Sequence, residues 1–142
     1  MKPIEILRSL FTEEELRESL QEALSHIAAE LNDKDYRIAA SYSLDVARIY
    51  DLLGDVENAQ KYYWVTIQYL EQADFQTLWI RLECLRRLGR YEEAIKTSLS
   101  NPHHSEIQLA ELYKEAGNHD IAHKIYACLL YTSPSPRDRT RS

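Results

Sequence analysis

Three glycines punctuate this chain of 142 residues, and all three stand in one frame. Gly54, Gly89 and Gly117 fall near the ends of "ARIYDLLGD", "LECLRRLGR" and "AELYKEAGN". Four residues before each stands a large apolar side chain (Tyr50, Leu85, Tyr113), and five after each an alanine (Ala59, Ala94, Ala122). Tyr63 and Tyr126 follow the first and third alanines by four; in the second copy that slot holds Ser98. Just past a helix end, glycine accepts the left-handed backbone conformation that a Cβ penalises. An alanine at a fixed step into the following helix lets two helix axes approach closely. Each frame therefore predicts helix, tight turn, helix. With no sustained period-two alternation between turn residues, no sheet is expected.

Between these turns apolar residues recur at helical spacing. Leu16, Leu20, Ala23, Leu24, Ile27, Ala28 and Leu31 trace one face of a long helix. Thr12 and Glu15 have capping-box spacing at its start, and Pro3 suits the opening of a short helix before it. Helices are predicted at 3–10, 13–31, 35–53, 56–71, 75–88, 91–100, 104–116 and 119–130. The fold class is all-α.

The Tyr-x3-Gly-x4-Ala frame resembles the tetratricopeptide repeat family over about residues 36–127. That resemblance implies stacked antiparallel helix pairs forming a superhelix. The glycine steps here are 35 and 28 residues, against about 34 in the family. The first unit lacks the closing proline, Pro102 comes early in the second, and Trp79 alone lies near the expected tryptophan place. A divergent member is implied, with residues 1–34 as N-terminal capping helices and 35–127 as about three helix pairs. An unrelated helical bundle is the alternative.

The last stretch, from Cys128 to Ser142, poses its own question. "CLLYTSPSPRD" resembles the in-frame translation of a transposase-type sequencing adapter, which implies that 128–142 is not native and that the chain is the front of a longer repeat protein. Read as native, Leu129 and Leu130 finish the last helix and Ser-Pro-Ser-Pro opens a basic linker.

Charge narrows the function. The formal net charge is −6, and it becomes −8 without the tail's three arginines and one aspartate. An acidic chain is a poor binder of phosphate backbones, so no nucleic-acid partner is expected. No apolar run reaches the roughly 18–20 residues that cross a bilayer, and "MKPIEILRSLFTEEE" does not read as a secretory signal. No membrane partner is expected, and the default location is cytoplasmic.

Candidate chemistry is sparse. His119 and His123 share a helix face at the spacing of zinc ligands, but "HDIAH" lacks the glutamate of the zinc hydrolase motif and no third ligand is evident. His103 and His104 read as turn residues. Ser98, Ser100 and Ser105 have no nucleophile-elbow glycines, and three isolated glycines build no phosphate loop. Cys84 reads as a small buried filler. No enzyme activity, cofactor or metal is expected.

The resemblance implies that the first helix of each pair lines a concave face. The corresponding positions are Leu44, Arg48 and Asp51 in the first unit; Trp79, Glu83, Arg86 and Arg87 in the second; and Ile107, Glu111 and Lys114 in the third. Such a face would hold a peptide, with Arg48, Arg86 and Arg87 taking its carboxylates and Trp79 supplying buried area. The expected function is docking of a protein or peptide partner. The alternatives are a helical regulatory domain of a longer enzyme and a small metal-binding protein using His119 and His123.

Overall fold

The computed structural model describes residues 3–73 and 78–132. These residues form eight α-helices, and no strand occurs among them. The chain divides into two compact units, residues 1–88 and 89–142. The division falls inside the second helix pair expected from the glycine frame.

The first unit holds α1 (Pro3–Leu10), α2 (Glu13–Asn32), α3 (Tyr36–Leu53), α4 (Val56–Gln72) and α5 (Leu78–Arg87). The predicted start of α5, at 75, lies outside the described residues. α2 begins as its spacing predicts. Glu15 N donates to Thr12 Oγ1 at 3.1 Å while Thr12 N donates back to Glu15 Oε1 at 3.3 Å. Two early amides, which no helical carbonyl reaches, are thus satisfied reciprocally. Leu16, Leu20, Ala23 and Ile27 of the predicted face are buried, whereas Ala28 is exposed. Leu20, Ala23 and Ile27 meet Val46 of α3, with Ile49, Tyr50, Leu53 and Tyr62 packed around them. Burying a side chain the size of Leu20 or Ile27 contributes about 1.5–3 kcal/mol, which makes this seam between α2 and α3 a main support of the unit.

α3 and α4 are antiparallel neighbours joined by Gly54 and Asp55. Gly54 sits at φ 80°, and no atom lies within 4 Å of where its Cβ would be. Conformation, not space, demands glycine there. Gly54 N donates to Asp51 O at 3.1 Å and Asp55 N to Tyr50 O at 2.9 Å, closing the last turn of α3. The Asp55 side chain then caps α4 by accepting from Asn58 N at 3.1 Å.

The turn between α2 and α3 repeats this scheme without a glycine. Lys34 holds φ 56°, its N donates to Leu31 O at 3.1 Å, and Asp35 N donates to Glu30 O at 2.8 Å. Ala39, five residues on, is fully buried, as Ala59 nearly is. Lys34 therefore repeats the turn geometry and the buried alanine of the frame, with Glu30 in place of the large apolar residue and a side chain on the left-handed position.

The second unit holds α6 (Tyr91–Leu99), α7 (Glu106–Glu115) and α8 (His119–Thr132). α7 packs on α8 and α6 on α7. The α7–α8 turn has the same hydrogen bonds, Gly117 N to Lys114 O at 3.1 Å and Asn118 N to Tyr113 O at 2.8 Å. Ala94, Leu109, Ala110, Leu112 and Ala122 are buried. α8 runs past Ala127 to Thr132, with Leu130 and Tyr131 exposed. The rest of the tail, 133–142, lies outside the described residues.

Candidate functional site

α3 turns Ala39, Ala40, Ser43, Leu44, Val46 and Ala47 inward. Its opposite side presents Ile38, Ser41, Asp45 and Arg48 to solvent, with Tyr42 half-buried among them. This strip follows i, i+3, i+4 and i+7 steps, so it is one continuous face. Two clefts flank it. One, of about 430 Å³, lies where α3 meets α2 and the α1–α2 turn; Phe11, Glu22, His26, Tyr42, Asp45 and Ile49 are among its lining. The other, of about 530 Å³, is formed by Arg37, Ile38, Ser41 and Tyr42 of α3 with Leu70 of α4 and Trp79 and Ile80 of α5. Tyr42 lines both.

The polar groups of this face are already partly satisfied by one another. Arg48 donates from Nε to Glu83 Oε1 at 3.1 Å and from Nη2 to Glu83 Oε2 at 2.6 Å. Asp45 Oδ1 lies 3.8 Å from Arg48 Nη1. Burial opposes the Arg48 charge, but the bonds and charge of Glu83, with Asp45 adding, hold its pKa above the usual guanidinium value. Burial pushes the Asp45 carboxyl above the usual carboxylate range, and Arg48 offsets only part of that. The His26 ring stacks on Tyr42, with centroids 4.7 Å apart and planes 10° from parallel, while its Nε2 is 3.8 Å from Glu22 Oε1.

Of the expected partner-facing residues of the first unit, Trp79, Arg48 and Glu83 belong to this face. Trp79 is 58% exposed and stands one turn before Glu83 on α5. Leu44 does not belong: it is 2% exposed and packs in the core. Asp51 is turned toward α4, where its Oδ2 accepts from Tyr63 Oη at 2.5 Å, and its backbone carbonyl accepts from Arg8 of α1 at 2.8 Å. The surface face of α3 is rotated by about one residue from the repeat alignment, which puts Tyr42 and Asp45 where Leu44 was expected. Arg86 is half-buried and Arg87 exposed at the end of α5. In the second unit, Ile107, Glu111 and Lys114 are exposed at helical steps on one stripe of α7, Ile107 at 56%.

Sequence reasoning missed Phe11, His26, Ile38 and Tyr42. A signal was present in the run Ile38, Tyr42, Asp45, Ile49, a second helical periodicity beside the buried Ala39, Ser43, Val46 and Ala47.

His119 and His123 are exposed on α8, and among the described residues no three His, Cys, Asp or Glu side chains gather as a metal-binding group. His104 is engaged between its loop and the start of α7: Nδ1 lies 2.9 Å from Asn101 O and Nε2 2.7 Å from Glu106 Oε1. Cys84 is fully buried, and burial pushes its thiol up to about 12. Among the described residues, no helix is long and apolar enough to cross a membrane. Comparison of the chain with protein-family models, with curated proteins and with solved structures finds no match.

Proposed function

We propose that the first unit is a docking module, a divergent tetratricopeptide-like stack that receives a segment of a protein partner along the exposed face of α3. The observation that carries this reading is Trp79, 58% exposed and lining a cleft together with Ile38, Leu70 and Ile80. A large aromatic at the rim of an apolar cleft is the kind of group that dominates a contact once covered. The repeated left-handed turns at Lys34 and Gly54 support the stack. They fix short helix pairs whose outer faces come preformed, so docking orders little chain. The module works in the cytoplasm and performs no catalysis of its own.

Peptide-display selection against the purified chain tests this. Enriched peptides bind the native chain and lose at least about tenfold in affinity on Trp79→Ala, as truncation of a central aromatic does. Peptides that bind equally well to Trp79→Ala place the contact elsewhere and contradict the reading.

A further inference from the structure

The formal charge is unevenly placed. Residues 1–88 contain ten Lys and Arg against sixteen Asp and Glu, whereas residues 89–142 hold seven of each. The whole excess therefore belongs to the first unit. Within it α2 is the extreme, with six glutamates and one basic residue, Arg17, which Glu13 already engages at 2.9 and 3.1 Å. One wall of the 430 Å³ cleft is this helix.

The other wall carries Asp45 and Arg48. Arg48 would cancel that negative character if its charge faced the cleft unopposed. Instead its guanidinium is held at two points by Glu83, at 3.1 and 2.6 Å, with only a 3.8 Å approach to Asp45. The expectation that Arg48 takes a partner's carboxylate is thereby reversed in sign. What the cleft offers a newcomer is the carboxylates of Glu22 and Asp45, whose ion-pair neighbours His26 and Arg48 each stand off at 3.8 Å, and an apolar lining that includes Leu16, Ile49 and the Tyr42 ring, on one face of which His26 stacks.

We infer that this cleft receives a basic side chain of the docked segment, Lys or Arg next to an apolar residue, at the Glu22 and Asp45 carboxylates beside Tyr42. The inference rests on the docking reading and adds the chemistry of the partner. Burial already disfavours the charged Asp45 carboxylate, and a cation seated beside it offsets that penalty by favouring the ionised form, as Arg48 does in part. The stem of a Lys or Arg and its apolar neighbour cover Phe11 and Ile49, so the segment is both basic and amphipathic.

Fluorescence anisotropy with two sets of labelled peptides tests this. The sets share length and apolar positions and differ only in carrying Lys and Arg or Glu between them. The chain binds the basic set about tenfold or more tighter than the acidic set, and Glu22→Lys with Asp45→Lys abolishes or inverts that preference. Should the reversed pair disturb folding by circular dichroism, Glu22→Gln with Asp45→Asn is the substitute, and it removes the preference. Equal binding of both sets, acidic preference, or a basic preference untouched by the variants overturns the inference and leaves docking itself standing. Binding of neither set overturns both.

Discussion

Arg48 and Glu83 stand 35 residues apart and hold each other by two hydrogen bonds, tying the exposed face of α3 to α5. Their side chains are 43% and 24% exposed, so water screens part of the attraction. A double-mutant cycle with Arg48→Gln and Glu83→Gln gives a coupling of about 0.5–1 kcal/mol. It shrinks in about 1 M salt, where charges are screened within a few ångströms. A coupling near zero in low salt would mean that the pair does not join the two helices.

Lys34 carries a cost that a glycine would not. A side chain in the left-handed region is disfavoured by about 1–2 kcal/mol, against which glycine loses about 0.5–1 kcal/mol of extra chain entropy on folding. Lys34→Gly therefore stabilises the first unit, by up to about 1 kcal/mol. Gly54→Ala destabilises it by about 1–2 kcal/mol, since φ there is 80°. Urea unfolding midpoints that move up for the first variant and down for the second agree; the reverse order contradicts the shared turn geometry.

Tyr63 is 2% exposed, and its hydroxyl donates to Asp51 Oδ2. Burial, then the Asp51 carboxylate, pushes its pKa far above that of a free phenol. Because the folded value is the higher one, the contribution is complete below the unfolded value of about 10 and is lost as pH rises above it. Alkaline titration of the native chain should show one tyrosine that ionises only on unfolding. Tyr63→Phe removes that signal and costs about 1–2 kcal/mol at neutral pH.

His104 binds the Asn101 carbonyl and Glu106, and both bonds raise its pKa, the backbone bond more. Its stabilising effect is full below the unfolded value of about 6.5 and fades as pH rises through the folded one. The His104 ring proton shift followed by NMR gives a midpoint above the ordinary histidine value, and Glu106→Gln lowers it. An unchanged midpoint would remove Glu106 as a cause.

The helices were legible because their signals are local. Thr12 with Glu15, Gly54 with Ala59, and the apolar steps of α2 each act within a few residues, and α2 and α4 begin where these place them. Lys34 was hidden because only the folded turn shows that a residue with a Cβ adopts the glycine role; Asp35 and Ala39 beside it were the available hint. The solvent face of α3 was misplaced at Leu44 and Asp51 because it was set by repeat alignment, and a shift of one residue on a helix turns a side chain by about 100°. The pairing of Arg48 with Glu83 depends on tertiary placement that no local pattern encodes.

The most direct measurement of the central claim is site-specific photocrosslinking in cells, with a benzoylphenylalanine at position 79, at position 38, and at the exposed position 68 on α4. The docking account predicts adducts to a partner polypeptide at 79 and 38, through peptides rich in Lys or Arg, and few at 68. Adducts spread evenly over the three positions, or formed chiefly at 68, would contradict it.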